Sequence, residues 1–226
     1  MSVMAVILAG GEGRRMGGAD KAHLMLAGRP LISHVIARLS PQISAAWADP
    51  ASADADPDPA CRIMISANGD PARFSSTGLK VLADEASYGP LSGILSGLRA
   101  AQAAGAAAVI STPVDAPFLP DTLVSALMAA VQSPAGSTKD AAFLHPTFAR
   151  AGGRDHNASA LWPVALADPL AAFLASGAKP KIADFAAMHG AVAVDFPDPE
   201  GFANLNRPED LARAESRMSA DQVGRS

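Results

Sequence analysis

VMAVILAGGEGRRMGGADK, residues 3–21, is the stretch on which the fold turns. Val3 to Ala9 is an unbroken apolar run ended by Gly10-Gly11. A run of this kind, bounded by glycines and without alternation, reads as a strand buried on both faces of a parallel sheet. The glycines at 10, 11, 13, 17 and 18 let backbone N–H groups come close to a ligand, and Arg14, Arg15 and Lys21 bring cations to the same loop. Backbone donors and cations after a buried strand make an anion site suited to a triphosphate. A solvated glycine-rich turn is the alternative, and the coincidence of glycines with cations weighs against it. Spacing excludes two other phosphate loops. No Gly-Lys-Ser/Thr occurs, as a Walker loop requires. Gly11-Glu12-Gly13 meets its next glycine at Gly17, too late for a dinucleotide fingerprint, and the next helical pattern begins only near Pro30.

Outward from this loop, strand and helix patterns alternate. Leu31, Ile32, Val35, Ile36 and Leu39 mark one face of a helix opened by Pro30. Strands are expected at residues 62–67, 79–83 and 107–112, and helices after Pro90 and over 121–132. Strands separated by helices imply right-handed crossovers. The expected fold is therefore α/β, a single three-layer α/β/α domain with a mostly parallel, Rossmann-like central sheet. Beyond Ser133, strands at 141–144 and 160–164 flank a polar stretch, 150–159. Helices at 169–176 and 182–189 and a strand at 191–196 follow. Asn206 is placed to cap the last helix, with Glu209 completing a capping box. The domain is expected to span 1–218, with ADPASADADPDPA (48–60) a mobile loop insertion and 219–226 a disordered tail.

Composition narrows the function classes. The chain has 226 residues and a net charge of −4, with a sequence pI near 5.7. That balance argues against a protein that coats nucleic acid through its overall charge. Alanine makes up roughly a fifth of the chain, well above ordinary usage. Cys61 is the single cysteine, which excludes an intramolecular disulfide and a multi-cysteine zinc site. It reads as a small core residue in a reducing compartment. The apolar runs are too short to span a membrane, and residues 1–8 lack the basic start of a signal peptide. A cytoplasmic protein without nucleic-acid or membrane partners is expected.

Several polar residues sit where chemistry is expected. Asp115 follows the fourth strand and faces the crevice in which α/β sheets bind ligands. Mg²⁺ prefers carboxylate and phosphate oxygens and keeps several waters, so one Asp can suffice. Asp84, just after the third strand, can accept hydrogen bonds from the N–H groups of a base or from ribose, and Glu85 is a weaker candidate. At Ser66-Ala67-Asn68-Gly69 either Ser66 or Asn68 can supply a polar contact, and a plain Asn-Gly turn is equally compatible. His34 and His189 lie on helical faces and read as structural.

The loop LAGGEGRRMGGADK followed by LAGRPLISHV resembles the signature of nucleotidyltransferases of the sugar-nucleotide type, and is most similar to the molybdenum cofactor guanylyltransferase (MobA) family. LADEASYGPLSGILSGL, STPVDAPFLP and FANLNRPEDLARAES agree with that family in order and spacing, so the resemblance covers nearly the whole chain. The 48–60 insertion and Ser66, where relatives often carry Asn, depart from it. The resemblance implies GTP as substrate, bound by Leu8, Ala9, Gly10, Gly11, Lys21, Ser66, Asn68, Asp84, Gly89, Pro90, Leu91 and Asp115. It implies Mg²⁺ on Asp115, and catalysis by Lys21, Arg15 and Asp115. Asn204 and Asn206 are placed near a pterin site, and His145, His156, Arg150 and Arg154 are candidates for its phosphate pocket. The second substrate would be molybdenum-bound molybdopterin, with molybdenum-insertion proteins and apo-molybdoenzymes as further partners. A pterin cytidylyltransferase, a sugar-phosphate nucleotidyltransferase and a non-catalytic nucleotide-binding or delivery protein are the competing readings. The first is disfavoured by Gly10-Gly11 and by the Asp20-Lys21 pair.

Overall fold

The computed structural model describes residues 2–10, 20–47, 62–83, 89–131, 145–177 and 181–223. Strand β1 (Val3–Leu8) lies at the middle of the fold. Its side chains alternate between two faces, and both faces are apolar, which is why the run shows no alternation in sequence. The hairpin β2 (Met25–Leu26) and β3 (Arg29–Pro30) stands apart from the main sheet. Strand β1 pairs in parallel with β4 (Ile63–Ser66) on one side and β6 (Ala108–Pro113) on the other. Beyond β4 lies the parallel β5 (Lys80–Leu82). Beyond β6, the antiparallel β8 (Arg154–Pro163) joins β7 (Thr147–Ala151), which pairs in parallel with β9 (Val192–Phe196). The seven-stranded order is β5-β4-β1-β6-β8-β7-β9.

Helices cover both faces. Helices α1 (Leu31–Trp47) and α3 (Leu123–Ala129) pack Val35, Leu39 and Leu127 against Val3, Ala5 and Ile7. On the opposite face, α2 (Pro90–Ala103), α4 (Ala167–Ala175) and α5 (Ile182–Met188) pack Ile94, Leu98, Leu170 and Phe185 against Met4, Val6 and Trp162. Full burial of each large aliphatic or aromatic side chain contributes about 1.5–3 kcal/mol. A smaller cluster seats α6 (Pro208–Val223) on the β2–β3 hairpin through Leu26, Leu31, Leu205 and Ala214. The expected α/β/α architecture is thus present. It also aims the site, because α1 leads from β1 to β4 on one face while α2 leads from β5 to β6 on the other. Strand order therefore reverses between β1 and β6, which opens a crevice at their carboxyl ends.

The structure differs from the sequence reading at α1, at the β7–β8 hairpin and at both ends of α6. Helix α1 starts at Leu31 rather than Pro30, and runs through Pro41 to Trp47. Around that proline, Ser40 Oγ donates to the Ile36 carbonyl at 2.8 Å and Gln42 Nε2 to the Arg38 carbonyl at 2.8 Å, and the buried Ile43 continues the packed face. The polar stretch 150–159 is not a loop between strands but the middle of a hairpin, turning at Gly152-Gly153. Asn206 does not cap α6 with Glu209. Pro208 takes the first helical position, and Asp210 accepts from the N–H groups of Asn206 (3.0 Å) and Arg207 (2.9 Å), one residue later than expected. Those backbone donors, Asn206 first, hold the Asp210 carboxyl below its ordinary pKa. Finally, α6 extends past residue 218 to Val223. The 48–60 segment and the strand expected at 141–144 lie outside the described residues.

Candidate active site

The register of β1 with β6 places Leu8 beside Pro113, so the loops that follow both strands leave the sheet together at the point of reversal. Backbone bonds tie them: Val114 N–H donates to the Leu8 carbonyl at 3.1 Å and Ala9 N–H to the Ser66 carbonyl at 2.8 Å. Asp115 stands in the turn after β6, and its carbonyl accepts from Leu205 N–H at 2.8 Å, which draws the Asn204–Asn206 segment to the same place. Lys21 opens a short 3₁₀ turn (Lys21–His23) capped by Asp20. Its Nζ lies 2.9 Å from Asp115 Oδ2 and 2.5 Å from Asn206 Oδ1. The Lys21 and Asp115 side chains are only 18% and 14% exposed, so this ion pair is less screened than an ordinary surface pair. The other carboxylate oxygen, Asp115 Oδ1, is buried and has no hydrogen-bond partner among the described residues. An orphaned carboxylate oxygen is costly, and a cation or a ligand donor would satisfy it.

Two cavities meet at this junction. The first, about 200 Å³, is lined by Leu8, Gly10, Lys21, Ser66, Asn68, Gly89, Pro90 and Asp115, all expected from sequence to contact the nucleotide. Gly89 adopts φ +70° and ψ −148°, a backbone state confined to glycine, which lets Pro90 start α2 at the cavity wall. The N-terminal end of that helix favours an anion. Ala9 and Leu91, also expected there, are buried at 4% and 1% exposure, their side chains facing the core. A continuous strand-to-loop run gives no sign of which residues turn inward at its end. Gly11, Arg15 and Asp84, together with Glu85, lie outside the described residues.

The second cavity, about 480 Å³, holds Asn204 and Asn206 together with Arg154, His156, Asn157 and Ser159. It shares Pro113 and Ala158 with the first. Of the other candidates, Arg150 is paired with Asp155 at 2.6 Å, and neither it nor His145 lines the cavity. The His156 ring stacks on Phe202, with centroids 4.8 Å apart and planes at 25°. Burial first, and the nearby Arg154 guanidinium second, push the His156 pKa below its ordinary value.

Sequence reading missed the wall between the cavities. The β7–β8 register jumps from Phe148↔Ala160 to Ala149↔His156, so residues 157–159 bulge out of the ladder. Bulges of this kind re-aim side chains beside sites. Ser111 Oγ holds the bulge by donating to the Ala158 carbonyl at 2.8 Å, and accepts from Trp162 Nε1 at 2.9 Å. The available signal was the Gly152-Gly153 pair between two strand-like runs. Among the described residues, no group of three or more His, Cys, Asp or Glu side chains is placed to hold a metal ion.

Residues 5–190 match the MobA-like NTP transferase domain. The chain belongs to the MobA-like nucleotidyltransferase family. It is 49% identical over 221 residues to a molybdenum cofactor guanylyltransferase of Cereibacter sphaeroides, covering 98% of this chain and 100% of that one. A protein of the same name from Rhodobacter capsulatus is 44% identical, covering 96% and 97%. Among solved structures, molybdopterin-guanine dinucleotide biosynthesis protein A from Archaeoglobus fulgidus superimposes with a TM-score of 0.65 at 21% identity, covering 97% and 100%. CMP:2-keto-3-deoxy-manno-octonic acid synthetase, solved with CTP, gives 0.67 at 13% identity, covering 98% and 100%. The last two likenesses are of fold. As a MobA-like transferase the chain is a nucleotidyltransferase, and the Lys21–Asp115–Asn206 junction lies at the crevice of that fold. No helix among the described residues is long and apolar enough to cross a membrane.

Proposed function

We propose that this chain transfers GMP from GTP to the terminal phosphate of molybdenum-bound molybdopterin, releasing pyrophosphate and forming the guanine dinucleotide form of the cofactor. The observation that carries the reading is the Lys21–Asp115–Asn206 junction between two cavities, since transfer between two substrates needs their phosphates to meet at one charged point. The names of the close relatives, molybdenum cofactor guanylyltransferases, support a guanylyl donor and a molybdenum cofactor as acceptor. GTP would occupy the smaller cavity, with Lys21 and Arg15 neutralising its phosphates. The pterin would occupy the larger, beside Asn204 and Asn206. The buried Asp115 Oδ1, without a partner among the described residues, fits a hard cation, and Mg²⁺ there would neutralise charge at the α-phosphate. The acceptor phosphate is ionised at neutral pH, so attack on the α-phosphorus in line needs no general base. Positioning and charge stabilisation carry the catalysis. The product would pass, in the cytoplasm, to molybdenum-insertion proteins or apo-molybdoenzymes.

Pyrophosphate release from GTP, CTP and ATP, with molybdenum-loaded molybdopterin as acceptor, tests this reading. Turnover with GTP at least tenfold above the others is expected, because a guanine-edge site rejects bases that leave its polar groups unpaired. Equal or faster turnover with CTP overturns the guanylyl assignment. Nucleotide binding without pyrophosphate release, acceptor supplied, overturns transfer altogether.

A further inference from the structure

Asp20 does more than cap the turn that carries Lys21. Its Oδ1 accepts from Ala22 N–H at 3.1 Å, while Oδ2 lies 2.9 Å from His23 Nδ1 and 2.6 Å from Arg73 Nη1. Arg73 comes from another segment, the 3₁₀ turn Pro71–Thr77 that follows β4. Its Nη2 donates to the Asn68 carbonyl at 2.9 Å, and its own carbonyl lies 2.9 Å from His23 Nε2. Phe74, only 1% exposed, is a fixed platform beneath both groups. The Arg73 guanidinium lies 4.7 Å and the His23 ring 5.3 Å from its centre. Lys21, in the turn that Asp20 caps, and Asn68, whose carbonyl Arg73 holds, both line the smaller cavity.

We propose that Arg73 is a positioning residue for nucleotide binding and transfer: with Asp20 and His23 it clamps the turn carrying Lys21 to the turn carrying Asn68, and so sets the spacing of the two cavity walls. The inference rests on the guanylyl transfer proposed above. The guanidinium is suited to this because its planar fork meets a carboxylate on one segment and a carbonyl on another at once, which a lysine ammonium cannot do with the same geometry. The Asp20 and Arg73 side chains are 25% and 31% exposed, and partly exposed pairs of this kind contribute little to global stability. What their loss removes is placement. A displacement of about 1 Å in a group that holds a phosphate can cost on the order of a hundredfold in rate.

The test uses the full chain with Mg²⁺, reading GTP affinity by titration calorimetry and kcat and KM by pyrophosphate release. Arg73→Ala is expected to weaken GTP binding and lower kcat/KM for GTP by about tenfold or more, with the acceptor KM unchanged. Arg73→Lys is expected to recover part of the loss. In a Lys21→Ala background, Arg73→Ala should cost far less than in the parent, because the group it positions is gone. Parent-like GTP affinity in Arg73→Ala overturns the clamp, and so does a full multiplicative loss in the double variant. If Arg73→Ala does not fold, Arg73→Lys decides, and unchanged GTP affinity and kcat/KM overturn the clamp. Failure of the parent chain to bind GTP overturns the guanylyl reading itself, whereas normal parent binding with silent Arg73 variants overturns only the clamp.

Discussion

Asp115 divides its two carboxylate oxygens between different tasks. Oδ2 meets the Lys21 ammonium, and Oδ1 is left buried without a partner among the described residues. Replacing the carboxylate by an amide keeps the shape and removes the charge. Asp115→Asn is therefore expected to fold with its thermal midpoint near the parent's and to lose about 10²–10³-fold in turnover, measured by pyrophosphate release. Near-parental turnover in the folded variant would sink the assignment of Asp115 to the reacting phosphates. His156 gives a pH prediction of the opposite kind, one of stability. Burial and then Arg154 depress its pKa in the folded state, with Asp155 opposing, so the folded chain prefers the neutral ring. The associated stabilisation is fully present above the unfolded pKa of about 6.5 and is lost as pH falls through the folded value. Thermal midpoints recorded from pH 7.5 to 5 should fall with acidity, and His156→Gln should flatten that slope. An unchanged slope would show that His156 is not its source.

At the scale of elements, close approach decides more than propensity. Helix α2 crosses β1 and β4 at Gly93, where an added Cβ would sit 2.3 Å from Ser66 Oγ and 2.9 Å from Ser66 Cβ. No rotation of the serine side chain relieves the contact with its Cβ. Gly93→Ala gains about 1 kcal/mol in helix propensity and still should destabilise the protein by a net 1–3 kcal/mol, read from chemical denaturation. Because Ser66 lines the smaller cavity, in which GTP is proposed to bind, GTP affinity should fall as well. The β2–β3 hairpin presents the reverse case. Its two turn residues, Ala27 and Gly28, adopt φ +47° and +76°, the conformation that right-handed strand twist demands of a two-residue hairpin loop. Alanine is disfavoured there and its side chain is exposed, so Ala27→Asn should stabilise the protein by about 0.5 kcal/mol in the same measurement. Nothing in LAGRPL announces this turn, since alanine is not a usual signal for it. The β7–β8 hairpin was hidden for a related reason. Asp155, His156 and Asn157 are polar and line a cavity, and polar strand residues look like loop.

Across the whole molecule, the site is assembled from segments far apart in the chain: Lys21, Asn68, Asp115 and Asn206 meet only because β1, β4 and β6 end side by side. A ligand bridging those segments should stabilise the fold as a unit. Saturating GTP with Mg²⁺, at about a hundred times its Kd, is expected to contribute about 2.7 kcal/mol, a rise of roughly 5–10 °C in thermal midpoint for a chain of this size. Chelating the metal should remove most of that shift, and an equal shift with GTP in excess chelator would argue against a metal at Asp115. The sequence by itself determined the buried first strand, the alternation of strands and helices, the glycine-and-cation loop and the acid after the fourth strand. Those features are local, set by hydrophobic run length, helical period and turn chemistry within a few residues. Only the tertiary structure decided that Asn206 turns to Lys21 rather than capping α6, that Ala9 and Leu91 face the core, that residues 157–159 form the wall between two cavities, and that Arg73 reaches Asp20. Each of these is a contact between segments distant in sequence. Its partner is chosen by sheet order and register, which no local pattern encodes.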